Sequence, residues 1–162
     1  MNYVEKLEAL DKEKSSKLIA NGSKIHAQAL IKQFIKGAEE KINIVSKDLS
    51  IYDDESIRGL LKSAFAREVK FKIILDGDVI NNDNMFLKLC MENDEFCKIK
   101  KSESKLSAHI ITRDKSAFRY CDNPHEPKIN EAIASFNRPD VVKNAEQKLF
   151  GDYFDNLSSY NT

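Results

Sequence analysis

Ser107-Ala108-His109-Ile110-Ile111-Thr112-Arg113-Asp114 is the stretch whose reading decides the fold. Leu106 to Thr112 reads as a strand, and on a strand residues two apart point to one face, so Ser107 and His109 are expected side by side. Their spacing is roughly 7 Å, judged from the rise per residue, too long for a direct hydrogen bond between two short side chains. Asp114 follows, before Lys115-Ser116, where an Asp can organise a turn. Ala117 to Tyr120 then returns as a second strand of a hairpin and carries Arg119.

Working outward, alternation of helix and strand continues on both sides. Asn21-Gly22-Ser23 breaks the chain and offers an N-cap. From Lys24 to Glu40, Ala27, Leu30, Ile31, Phe34, Ile35 and Ala38 fall at helical spacing. Lys41 to Ile51 reads as a strand, Asp53-Asp54-Glu55 as an acidic helix start suited to the helix dipole, and Phe71 to Leu75 as the next strand, closed by Asp76-Gly77-Asp78. A short helix around Met85 to Cys90 and a strand from Phe96 to Lys100 complete the approach. Downstream, Cys121 to Lys128 is a polar loop with two prolines. Ala134-Ser135-Phe136-Asn137 marks a strand or turn, and a helix is expected from about Asp140 to Asn156, with Pro139 at its start. This order implies an α/β domain with a mixed sheet flanked by helices. Residues 1–20 read as an N-terminal arm or short helix, and 21–162 as one domain.

Composition narrows the function classes. The 162 residues are 41% apolar and 32% charged, with 26 Lys+Arg against 26 Asp+Glu. Zero net charge gives no global attraction to nucleic acid or anionic membrane. There is no apolar run of about 20 residues to span a bilayer, and Met1 to Lys14 is polar and mixed in charge, unlike a signal peptide. A cytoplasmic location is expected. Cys90, Cys97 and Cys121 are odd in number and lack C-x-x-C spacing, so they read as reduced packing residues rather than disulfides or zinc ligands. Asp48, Asp76 and Asp78 follow strands, but no second spacing supports a metal site. No nucleotide-binding glycine motif is present, and neither a cofactor nor a metal is expected.

The S-x-H-x4-D spacing of Ser107, His109 and Asp114 resembles the H-x-K-x4-D motif of the phospholipase D superfamily. Ser107 stands at the usual His, His109 at the usual Lys, and Asp114 at the family Asp. Ala134 to Asn137 resembles the family's downstream G-S-x-N, and Arg67-Glu68-Val69 its R-G-V-like turn before the second strand. The resemblance covers roughly residues 23–157. It implies a phospholipase D-like fold, metal-independent phosphodiester chemistry with a nucleophilic His, and, for a chain with one motif, a twofold homodimer whose motif strands meet at the axis.

The family's nucleophilic His is absent from its place. A neutral imidazole is a poorer permanent phosphate clamp than the ammonium it replaces, although it can still move a proton. Two functions from different classes follow. One is a degenerate, catalytically impaired homodimer that binds a phosphate-containing or macromolecular partner, nucleic acid among the candidates. The other is a metal-independent phosphodiesterase or nuclease with a variant motif, in which His109 and Ser107 are catalytic and Arg119, His125, Ser135 and Asn137 bind phosphate. Each has a plainer role beside it. Asp114 organises a turn, Arg119 pairs with Asp114, His125 sits in a solvated loop, and Asn137 caps the final helix. A protein-interaction domain, docking through the N-terminal arm, is the third reading.

Overall fold

The structure, a computed structural model, describes residues 1–122 and 131–160. In chain order it contains α1 (Tyr3–Lys12), β1 (Ile19–Ala20), α2 (Lys24–Gly37), β2 (Lys41–Ser46), a 3₁₀ turn (Ser50–Tyr52), α3 (Glu55–Ala66), β3 (Lys70–Leu75), α4 (Met85–Glu92), β4 (Cys97–Lys101), β5 (Ala108–Arg113), β6 (Ala117–Asp122), β7 (Glu131–Ser135), α5 (Pro139–Ala145), a π-helical turn (Glu146–Phe150), α6 (Asp152–Asn156) and β8 (Ser158–Ser159).

Local chemistry sets the helix starts. Asn2 and Glu5 form a reciprocal capping box on α1, Ser23 accepts from the His26 amide, Asp54 from Ile57 and Asn84 from Leu87, each satisfying an N–H that the first helical turn leaves open. The final helix is interrupted: α5 passes into the π-helical turn and restarts at α6 after Gly151. Asn137 does not cap it. Arg138 occupies the cap position without a side-chain bond.

The eight strands form one mixed sheet in the order β1-β7-β6-β5-β2-β3-β4-β8. β2, β3 and β4 are parallel, β5 is antiparallel to β2, and β5-β6-β7 is an antiparallel meander. Both faces are covered, which explains why β2 reads Ile42-Asn43-Ile44-Val45 with every residue buried. On one face Ile44, Ile73 and Ile111 meet Leu30, Phe34, Ile57 and Leu61 of α2 and α3. On the other, Val45, Ile74 and Ile110 meet Ala145, Phe150 and Phe154 of the C-terminal helices.

Residues 1–20 are integrated with the rest. Leu7 of α1 is 1% exposed, and β1 pairs with β7 at the sheet edge. Asp11 receives two hydrogen bonds from the Arg113 guanidinium, at 2.8 and 2.7 Å, and one from Gln33 at 2.7 Å. Burial pushes the Asp11 carboxyl up, but the hydrogen bonds from Arg113 and Gln33 outweigh it and hold the group below its usual value.

Candidate active site at the carboxyl ends of the parallel strands

β2 and β3 end at Ser46 and Leu75, and antiparallel β5 begins beside them. The carboxyl ends of parallel strands are where open α/β sheets place their sites. Asp76 leaves β3 there and its amide donates to the Ser46 carbonyl at 3.1 Å; the Gly77 amide donates to Lys47 at 2.9 Å. A Cβ at Gly77 would stand 2.5 Å from the Lys47 carbonyl oxygen, so only glycine allows this close approach of the two strand exits.

That approach fixes Asp76, whose side chain is fully buried. Its Oδ2 accepts from the Leu106 amide at 2.8 Å, and its Oδ1 lies 2.8 Å from His109 Nε2. Asp76 thus reaches past the end of β2 to hold both the approach to β5 and its first polar side chain. A buried carboxylate needs such donors, because an unpaired charge there is costly. On β6, Cys121 lies opposite His109 and Asp122 opposite Ala108.

Ser107 and His109 do not share a face as expected. β5 begins at Ala108, and Ser107 is an exposed bend residue before it. Ser107 lines a groove with Ile110, Tyr120, Asn144 and Lys148 against the C-terminal helices, whereas His109 turns to Asp76. Period-two alternation holds only within the strand, and Ser107 is outside it.

Asp114 lies at the opposite end of β5. It has a left-handed φ of 51°, and its carboxylate accepts from the amides of Glu39, Glu40 and Lys41 at 3.1, 2.8 and 3.0 Å. It ties the α2–β2 connection to the hairpin. Arg119 therefore has no pairing with Asp114; its Nε donates to Asn21 Oδ1 at 2.8 Å.

Ser135 and Asn137 also belong to that far end. Ser135 is opposite Phe118, three residues along β6 from the partner of His109, or roughly 10 Å along the strand. Its Oγ accepts from the Asn137 amide at 3.3 Å and donates to the Ser15 carbonyl at 3.4 Å. Asn137 Nδ2 donates to the Lys14 carbonyl at 3.1 Å, and Arg138 Nε to the Ser16 carbonyl at 2.9 Å. Together they hold down the segment between α1 and β1. His125 lies outside the described residues.

The structure thus brings His109 together with Asp76, places Cys121 opposite it on β6, and separates it from Ser135, Asn137 and Asp114. In the sequence Asp76 stands out only as a strand-end carboxylate in a turn, with nothing to link it to His109. Among the described residues, no group of three His, Cys, Asp or Glu side chains is arranged to hold a metal ion, and no helix is long and apolar enough to cross a membrane.

No protein-family model matches the chain, and no curated protein matches it by sequence. Solved structures do. Nuc from Salmonella typhimurium, a phospholipase D family member, superposes with a TM-score of 0.63 at 18% identity, over 90% of this chain and 99% of that one. NucT from Helicobacter pylori gives 0.60 at 15% identity, over 90% and 98%. TrmBL2, an archaeal chromatin protein described as showing a novel mode of DNA binding, gives 0.66 at 14% identity; 96% of this chain is covered, but only 60% of TrmBL2. With the mixed sheet flanked by helices and these superpositions in agreement, the chain has the phospholipase D fold.

Proposed function

We propose that the chain is a phospholipase D-fold binding module that has lost phosphoryl-transfer chemistry and works as a twofold dimer on a phosphate-containing or macromolecular partner. The observation that carries this reading is the engagement of His109. Its Nε2, the ring nitrogen farther from the backbone, lies 2.8 Å from the buried carboxylate of Asp76. In a neutral imidazole bonded this way Nε2 carries the proton, so the nitrogen at the tip of the side chain is committed to Asp76 and the ring's lone pair is on Nδ1, nearer the backbone. Ser107 needs an adjacent base to act as a nucleophile, and His109 is turned away to Asp76. An imidazole, His109, stands where the resemblance puts the family Lys. The pair therefore serves as a strut joining the ends of β3 and β5.

Solution mass, together with titration of fluorescent single- and double-stranded oligonucleotides in chelator at two salt concentrations, tests this reading. A dimer of the 18.5 kDa chain that binds reversibly without turnover is expected. A monomer would remove the twofold arrangement, and an absence of binding would remove nucleic acid as the partner.

One observation favours the alternative, a metal-independent phosphodiesterase. A carboxylate bonded to an imidazole is also how a scaffold orients a catalytic base. In that case two His109 rings would stand about 3–6 Å apart across a dimer axis, with a phosphate between them.

A further inference from the structure

A second polar cavity lies away from the His109–Asp76 pair, at the N-terminus of α2. It has a volume of about 210 Å³ and is lined by Asn21, Gly22, Ser23, Lys24, Arg119 and Ala132, with Ala27 and Ile51. It is smaller than the roughly 300–1,000 Å³ pockets that enclose drug-sized ligands, and suits a small charged group. Among the described residues its lining contains two cations and no carboxylate.

Four features converge on it. First, α2 is 14 residues long, and its amides at Lys24 and Ile25 precede the first intrahelical acceptor, because the Ser23 hydroxyl takes only the His26 amide at 3.1 Å. The helix dipole adds partial positive charge there. Second, Asn21 is 2% exposed and its Nδ2 has no hydrogen-bond partner. A buried amide donor left open costs stability unless something accepts from it. Third, Asn21 Oδ1 holds Arg119 by Nε, and none of the ion pairs among the described residues includes Arg119. The guanidinium is thus fixed by one nitrogen while its terminal nitrogens are not bonded to a carboxylate. Fourth, among the described residues two phenols, Tyr3 and Tyr52, stand within reach of the Arg119 charge. Burial pushes the Tyr3 and Tyr52 hydroxyls up, and the nearby Arg119 charge pulls both the other way.

We infer that this cavity is an oxyanion site for a phosphate group, free or as an ester, held by the Arg119 guanidinium, the Asn21 Nδ2 amide and the α2 N-terminal amides, with Lys24 at its mouth. A planar guanidinium and converging N–H donors match a phosphate better than a lone lysine would. The site does not depend on the His109 reading. If phosphate fails to bind here, that reading stands, and a catalytic His109 would leave this site untouched.

The test is an amide-resolved NMR titration of the ¹⁵N-labelled protein with sodium phosphate, at constant ionic strength against chloride, repeated with adenosine monophosphate. Saturable shifts are expected at the Lys24 and Ile25 amides and the Asn21 side-chain amide. Arg119→Gln should weaken binding about tenfold or more by removing a charge-assisted contact. Gly22→Asp places a carboxylate in the cavity, and a Cβ at Gly22 meets nothing within 4 Å, so the fold is kept while binding is lost. His109→Ala should bind as the wild type does. Tighter binding of the monophosphate identifies an ester as the ligand, and equal or tighter inorganic phosphate identifies the free ion; either supports the site. Absence of saturation, shifts confined to another surface, or binding that survives both variants would overturn it.

Discussion

The two ends of β5 carry the same kind of device for different purposes. At one end Asp114 gathers three backbone amides of the α2–β2 connection. At the other, Asp76 gathers a backbone amide and the His109 ring. The Asp114 end is architectural, because its carboxylate fastens one loop to the hairpin turn through backbone amides alone. At the His109 end the buried carboxylate fastens a side chain that can itself carry a proton. A carboxylate that holds only backbone is needed for folding, whereas one that holds an imidazole also sets that ring's orientation.

The largest effect should come from the architectural end. Asp114→Ala leaves three amides without their charged acceptor and should cost about 2–4 kcal/mol in urea unfolding, with Asp114→Asn losing roughly half as much because one carbonyl oxygen remains. Asp76→Ala should cost about 1–3 kcal/mol, since it strips the Leu106 amide and the His109 ring together. If Asp76→Ala proves costlier than Asp114→Ala, the two ends have been ranked the wrong way round.

A smaller and pH-dependent effect sharpens the same contrast. Arg113, the last residue of β5, holds Asp11 of α1, and the carboxyl lies below its usual value in the folded protein. Such a group stabilises fully above its unfolded value of about 4. That contribution is lost as pH falls through the lower folded value. The wild type should therefore lose stability on acidification through this window more steeply than Asp11→Asn. Parallel acid limbs would contradict the role given to the pair. The smallest effect is a gain. Glu68 has a left-handed φ of 65° just past the end of α3, and Glu68→Gly should raise stability by about 0.5–1 kcal/mol by relieving backbone strain.

Much of the fold was legible because long amphipathic segments announce themselves. The α2 stripe from Ala27 to Ile35, the β2 and β3 runs and the β5–β6 hairpin all have periodic patterns that packing then satisfies. The two-residue strands β1 and β8 have none; they exist through pairing with β7 and β4. The expected continuous helix from Asp140 to Asn156 is interrupted before Gly151, where the π-helical turn forms. The site was less legible than the fold. His109 stood out by its motif, but its link to Asp76 spans 33 residues and requires β2 to lie between their strands. Ser135 and Asn137 resembled a pocket locally, and register alone placed them at the far end of β6.

The most direct measurement is hydrolysis of a chromogenic phosphodiester, DNA and RNA in chelator by the folded wild type and by His109→Ala. The account predicts no hydrolysis above background by either protein. Hydrolysis by the wild type that disappears in His109→Ala would contradict it and make the His109–Asp76 pair a working catalytic unit.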